Sequence, residues 1–309
     1  MFSRVACMSC GGEMEPWLKM AIDAKKDEPT PFSSVKRCSA CGLGSLSPLP
    51  DEEDIPGFYE LDRYYTHGES HIQAVPPNIL DRLLTKLAWA ADRSRYFEVC
   101  EVAQSLPPDA KICDLGCGDA QYLQTFKALG FDVLGVEPDP SSRERANAAG
   151  VTVLNGTAES PPLNEQFDLV IMTHALEHCR DPRRAMQNAY ELTKRAGRCY
   201  IEVPNCAAEH FRTFTVCSEM FDAPRHIHFF SPDNLAALAE SAGFRVINRL
   251  FNGYVRDFGP GWRAWESDIA RRIGAKPHSW LASLSLFLRS FWRSPERKYD
   301  CVGLLLQRP

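Results

Sequence analysis

The run Ile112-Cys113-Asp114-Leu115-Gly116-Cys117-Gly118-Asp119-Ala120 places two glycines between a short apolar strand and a helix expected from Gln121 to Leu129. Gly116 and Gly118 let the backbone approach a ligand closely, and the helix that follows aims its unpaired amides at the bound group. Glu137 closes the next strand, expected over 131–136, where a carboxylate can accept both hydroxyls of a ribose. Together these residues read as a nucleotide-cofactor turn; the plain alternative is a tight turn with no ligand. A dinucleotide fingerprint would put a third glycine at position 121, which is Gln121.

Four of the twelve cysteines are paired by spacing. Cys7-Met8-Ser9-Cys10-Gly11 and Cys38-Ser39-Ala40-Cys41-Gly42 are two Cys-x-x-Cys-Gly turns separated by a 27-residue segment. Glycine after the second cysteine frees the backbone so that amides point at thiolate sulfur, and two such knuckles make a tetrahedral Zn(II) site. A module of roughly 45 residues cannot hold itself together by apolar burial, so this zinc is expected to be structural. The bland alternative is two redox-active or idle dithiols. The other eight cysteines are scattered, several in apolar strands, and read as small reduced core residues.

The series Asp-Leu-Gly-x-Gly-x-Ala from Asp114 to Ala120 resembles the first motif of class I S-adenosylmethionine (SAM) methyltransferases, with Ala120 where a third glycine is usual. The similarity continues over most of positions 76 to 309. Gly156-Thr157-Ala158-Glu159 is similar to the segment that holds the adenine edge, with Thr157 where members often carry aspartate, so that contact is expected through backbone. Thr173-His174-Ala175-Leu176-Glu177-His178 resembles the segment after the fourth strand of small-molecule methyltransferases. The resemblance implies that Asp114, Gly116, Gly118, Glu137, Thr157, Ala158 and His174 face SAM or its demethylated product, S-adenosylhomocysteine. It also implies the strand order 3-2-1-4-5-7-6 with strand 7 antiparallel.

SAM carries a methyl already primed for displacement, so the protein must position the nucleophile and remove its proton. Candidate bases are His174, His178, His226 and His228. The resemblance to zinc-ribbon sugar C-methyltransferases, which use a histidine base with an acidic neighbour, favours His178 beside Glu177, with His226 second. A histidine there could also simply brace its loop. Alternation in Pro224-Arg225-His226-Ile227-His228 points both histidines the same way if the segment is extended, one lining the pocket and the other anchoring the loop.

The elements that must position these groups alternate strand and helix. Strands are expected over 151–154, 167–172, 199–203, 244–250 and 301–307, with one helix from Asp181-Pro182 to Gly197 and another from Ser231-Pro232 to Gly243. This is an α/β, doubly wound, seven-stranded Rossmann-like sheet with a small N-terminal zinc ribbon and a helical insertion before the last strand. The expected division is 1–45 ribbon, 46–75 linker, and 76–309 catalytic domain with insertion 253–297. Tyr59, Tyr64 and Tyr65 in the linker either cement two domains or bring a tyrosine over the cleft. Residues 78–106 read as helical covering. In the insertion, Trp280, Leu281, Leu284, Phe287, Leu288, Phe291 and Trp292 recur at helical spacing, and 262–298 is locally +5. That region, 279–293 above all, suits core or homodimer packing, a lid, or a peripheral membrane contact.

With 309 residues, 44% of them apolar, and a net charge of −5, the chain can bury one full α/β core and carries no polycationic signature. The longest apolar stretch is too short to span a bilayer, and the N-terminus shows no signal pattern, so a cytoplasmic location is expected. The leading expectation is an enzyme that methylates a small hydroxylated or carbonyl-bearing molecule, an activated sugar or secondary metabolite, at oxygen or carbon. Zinc-ribbon sugar enzymes carry a further C-terminal domain, and this chain ends with its sheet. An rRNA or tRNA methyltransferase is the second reading, opposed by balanced charge over 1–45 and by the lack of an Asn/Asp-Pro-Pro-aromatic motif after the fourth strand. A non-catalytic SAM-binding scaffold is the third.

Overall fold

The computed structural model describes residues 6–20, 22–32, 34–61 and 72–309. Its main sheet has seven strands: β6 (Lys111–Leu115), β7 (Asp132–Glu137), β8 (Val153–Asn155), β9 (Phe167–Thr173), β10 (Thr193–Pro204), β12 (Arg245–Asn252) and β13 (Cys301–Gln307). They run in the order β8-β7-β6-β9-β10-β13-β12. β13 is antiparallel to both neighbours, while the pairs among β6 to β10 are parallel. This is the expected 3-2-1-4-5-7-6 arrangement. β6, β9 and the second half of β10, from Cys199 to Pro204, are almost wholly buried, as strands covered by helices on both faces must be. Where β10 crosses β13, a Cβ on Gly303 would lie 2.5 Å from the Tyr200 hydroxyl, so only glycine fits.

The N-terminal part folds as short strands β1 (Met14–Lys19), β2 (Ile22–Asp23), β3 (Glu28–Pro29), β4 (Ser34–Cys38) and β5 (Gly44–Leu46). The free edge of β5 pairs with β11 (His228–Phe229), so the small sheet β1-β4-β5-β11 takes its last strand from the far part of the chain. Trp17 stacks on Phe211 and meets Phe229 edge-on, which continues the buried apolar cluster from Val35 and Leu43 into Phe221 and Phe229.

Some expectations are corrected. The helix Pro182–Leu192 stops well before Gly197, because Thr193 turns back to bond the Ala189 carbonyl and starts β10 beside Phe167. Gly197 instead lies in an irregular stretch of β10, where a Cβ would meet the Lys194 carbonyl at 2.8 Å. Residues 78–106 form two helices, Ile79–Ala91 and Val99–Ala103, parted where Asp92 bonds the Ser94 amide and hydroxyl. In the insertion, the helix Trp280–Ser290 buries Ser283, Leu286, Phe287 and Ser290, a stripe narrower than the expected apolar face. Leu281 is 70%, Leu288 64% and Trp292 87% exposed, so these three are not core. Among the described residues no helix is long and apolar enough to cross a membrane.

Alternation does not orient His226 and His228 alike, because only His228 lies in a strand. His228 accepts from or donates to the Ser45 hydroxyl through Nδ1 at 2.8 Å, and its Nε2 lies 3.2 Å from the Arg180 carbonyl. A carbonyl only accepts, so Nε2 carries the proton and Nδ1 accepts from Ser45. Both nitrogens are committed to tying β5 to the loop after β9, and His228 is an anchor. Burial holds its pKa down at about 4 against the usual 6.5. The stability it contributes is therefore complete above pH 6.5 and is lost as the pH falls toward 4. His228→Ala is expected to lower the unfolding free energy at neutral pH by about 2–5 kcal/mol through the lost bonds and cavity. Urea titrations from pH 7 to 4 check this; the variant should also lose less stability on acidification than the wild type.

Candidate active site

The strand-to-helix turn after β6 has Gly116 at φ +79°, Gly118 at +53° and Ala120 at +62°. A Cβ on Gly116 would sit 2.6 Å from the Ala175 Cβ, so glycine there lets the turn close against the segment after β9. The Gly118 amide donates to Glu137 Oε2 and the Asp139 amide to Oε1, each at 2.9 Å. These bonds orient a buried carboxylate that still has lone pairs for two hydroxyls. Burial nonetheless raises its pKa, more than the two amides lower it. Asp114 is also buried, its pKa pushed up to about 8 by burial and by Glu137, and its Oδ1 has no hydrogen-bond partner among the described residues. A tight glycine turn beside a buried carboxylate with lone pairs to spare and an orphaned acid suits a polar ligand such as a nucleoside. At Thr157 the side chain accepts from the Ser160 amide, while Asn188 donates to the Ala158 carbonyl. That segment is thereby fixed by its own turn.

Beyond β9, His174 (φ +49°) leads into the 3-10 turn Leu176–His178. The His174 Nδ1 lies 3.2 Å from Glu177 and its Nε2 3.4 Å from Glu202. Desolvation works against its charge, but Cys301, Glu177 and Glu202 raise its pKa well above the usual imidazole value. Both ring nitrogens of His174 thus face carboxylates, which favours its charged form and makes it a weaker candidate base than its neighbours.

His178 and His226 face each other with ring centroids 4.8 Å apart. The His178 Nδ1 is 2.9 Å from the Arg225 carbonyl and 2.9 Å from the Tyr59 hydroxyl; the His226 Nδ1 is 3.0 Å from the Met220 carbonyl. Because carbonyls only accept, both rings carry the proton on Nδ1 and keep a lone pair on Nε2. The His178 Nε2 lies 3.9 Å from Glu177, whose other oxygen has no hydrogen-bond partner among the described residues. Burial lowers the pKa of His178 to about 4 despite the pull of Glu177. Burial would raise Glu177, yet His174, His178 and His226 hold it below the usual carboxylate value. The structure thus brings Glu177, His178 and His226 together beside His174, and sets His228 apart. Tyr59 joins them; Tyr64 and Tyr65 lie outside the described residues. Sequence reading missed Glu202, a charge within the apolar β10, and Arg225, whose partners are remote in the chain.

The cysteine knuckles converge. Sγ of Cys7 and Cys41 are 3.6 Å apart, and those of Cys10 and Cys38 3.5 Å. Gly11 and Gly42 share φ +76°, and a Cβ on Gly12 would sit 2.9 Å from the Cys38 sulfur. Four thiols at such spacing suit a tetrahedral ion bound at about 2.3 Å, whose ligand edges are about 3.8 Å.

Residues 69–249 match the family described as a methyltransferase domain. A ubiquinone biosynthesis O-methyltransferase of Azorhizobium caulinodans is 30% identical over 159 residues, 47% of this chain and 63% of that protein, so the match spans less than two thirds of the relative. A Cereibacter sphaeroides protein of the same name is 28% identical over 198 residues, covering 59% of this chain and 77% of its own. A Bacillus halodurans structure described as a methyltransferase superposes with a TM-score of 0.50 at 16% identity, over 68% of this chain and 97% of that one, which supports the fold alone. With its strand order, its glycine turn and more than half its length matched, the chain belongs to the class I SAM-dependent methyltransferases.

Proposed function

We propose that this methyltransferase transfers a methyl group to a hydroxyl oxygen of a small-molecule acceptor bound against Tyr59, His178 and His226. The observation that carries this reading is the pair of imidazoles whose Nδ1 atoms face carbonyls, which makes Nε2 the accepting atom, beside the buried Glu177. The O-methyltransferase names of the relatives agree with a hydroxyl acceptor. The cofactor, held by the turn at Gly116 and Gly118 and by Glu137, supplies an electrophilic methyl on a sulfonium. His178 Nε2 takes the hydroxyl proton, which leaves the oxygen an electron pair for the methyl carbon; bound SAM would accept the attack, its carbon–sulfur pair leaving with the sulfur of S-adenosylhomocysteine. Glu177 stabilises the imidazolium so formed, and His226 is the second group able to accept. Residues 1–45 act as a ribbon whose Cys7, Cys10, Cys38 and Cys41 hold a structural zinc, 46–75 joins it to the catalytic part over 76–309, and 253–297 is an insertion within that part.

Three measurements test this reading. Metal analysis should find about one zinc per chain, lost in a Cys7→Ser, Cys38→Ser double variant; unchanged zinc would refute the ligand set. Calorimetry should show SAM binding weakened in Glu137→Ala by about 1.5–3 kcal/mol for each charge-assisted bond removed, and equal affinity would sink the cofactor assignment.

For His178→Ala, turnover of an identified acceptor should fall by roughly 10²-fold or more while SAM affinity stays close to wild type. Because the free enzyme holds His178 near pKa 4, the base stays unprotonated down to that value. The acid limb of kcat/KM should therefore lie well below pH 6.5, the usual imidazole value. Near-normal turnover in His178→Ala would eliminate it as the base, and collapse in His226→Ala alone would move the role there.

A further inference from the structure

The loop between Ser218 and His228 supplies both carbonyl oxygens that fix the imidazoles, Met220 for His226 and Arg225 for His178. The loop is itself held from the N-terminal part of the chain. Asp23, at the end of β2, takes two hydrogen bonds from the Arg225 guanidinium, Nη2 to Oδ1 at 2.6 Å and Nη1 to Oδ2 at 2.8 Å. Arg225 also donates Nε to Asp222 at 2.7 Å and Nη1 to the Phe58 carbonyl at 3.0 Å. Lys25, two residues after Asp23, reaches Asp222 at 2.8 Å and Glu219 at 2.9 Å. Arg225 is 1% and Asp23 3% exposed, so water does not compete for these bonds.

The loop needs this support. Asp222 sits at φ +26°, a region that side chains other than glycine rarely adopt, and it is held there between Lys25 and Arg225. The His226 amide then bonds the Asp222 carbonyl, which places the His226 ring, and the Ile227 amide bonds the Glu177 carbonyl, which docks the loop on the turn that carries His178. A planar fork clamped by a carboxylate on each side has one geometry. The carbonyl of Arg225, on the same residue, is thereby set in place.

We propose that Asp23 and Arg225 are positioning residues for methyl transfer: their buried ion pair lets the ribbon hold His178 and His226 as Nδ1–H tautomers, with the proton-accepting Nε2 atoms turned toward the acceptor. This rests on the reading that the Glu177–His178–His226 cluster takes the acceptor proton, and it gives the ribbon a catalytic purpose beyond docking or folding. Without the clamp, the Arg225 carbonyl is free to leave the His178 Nδ1, and the ring can protonate on Nε2 and lose its basic atom.

The test uses the full-length, zinc-loaded protein and Asp23→Asn, which keeps volume and removes charge. Nitrogen-15 NMR of the imidazoles reads the tautomer directly. In the wild type both His178 and His226 should carry the proton on Nδ1; an Nε2–H form of His178 in the wild type overturns the proposal even if no variant folds. In Asp23→Asn the His178 resonances should shift toward a tautomer mixture, with zinc content and SAM Kd unchanged and kcat lowered roughly ten- to hundredfold, a part of what a general base contributes. Placed in a His178→Ala background, Asp23→Asn should cost little more, because both act through one ring. Equal losses in both backgrounds, an unchanged tautomer, or joint loss of zinc and SAM binding would each show a role in the fold only. Should His178→Ala turn over normally, the proton-acceptor reading fails, while the NMR measurement still decides whether Asp23 sets the ring.

Discussion

The burial of Arg225 is the constraint on which the site depends. A guanidinium taken out of water is stable only if its donors are met, and Nε, Nη1 and Nη2 of Arg225 all donate, to Asp222, Asp23 and the Phe58 carbonyl. Breaking such a pair on one side would strand a buried charge, at a cost of about 3–5 kcal/mol. The arrangement therefore tolerates little variation, and the chain uses it where variation would be most harmful, between the ribbon and the loop that touches both imidazoles. Lys25 and the indole of Trp265 serve the same end on Glu219, whose carboxylate is buried beside them.

The histidines show how one residue type is given different tasks by its partners. His174, between Glu177 and Glu202, is biased toward its charged form. His178 has the Glu177 carboxylate 3.9 Å from Nε2 and a carbonyl on Nδ1, and burial favours its neutral form. His228 is neutral too, but Ser45 and Arg180 use both of its nitrogens, so it has nothing left to offer a substrate. His210, against Glu266, is buried away from the cleft residues and has its pKa raised: burial opposes the charge but the carboxylate prevails. Among these histidines, hydrogen bonding leaves His178 and His226 with Nε2 as the accepting atom beside Glu177.

What could be read from sequence was what is encoded locally. Gly116 and Gly118 with Glu137, the two cysteine knuckles, the capped helix after Ser231 and the last strand from Cys301 are each specified by residues close in the chain, and they stand where spacing put them. Gly197, a breaker by type, marks the end of the helix from Pro182 in the sequence, whereas Thr193 ends it at Leu192 through strand pairing and a side-chain bond that no local pattern announces. Periodicity overstates the buried face of the insertion helix, since it marks the residues that could be buried and packing partners decide which are. Arg225 and Asp23, 202 positions apart, leave no mark in either neighbourhood.

The ribbon's position follows from the same logic that governs any sheet edge. β5 would otherwise present unpaired backbone groups, and β11 satisfies them with His228 and Phe229. Because His228 and Phe229 directly follow the loop that carries Arg225, His226 and Ile227, the strand pairing, the aromatic contact of Phe229 with Trp17 and the ion pair at Asp23 all fasten one short segment to one small module. Each fastening acts on a different chemical group: backbone amide, ring and guanidinium. Rotation about any one of them is blocked by the other two, and this is what lets a module with so little core of its own dictate where two imidazole nitrogens point.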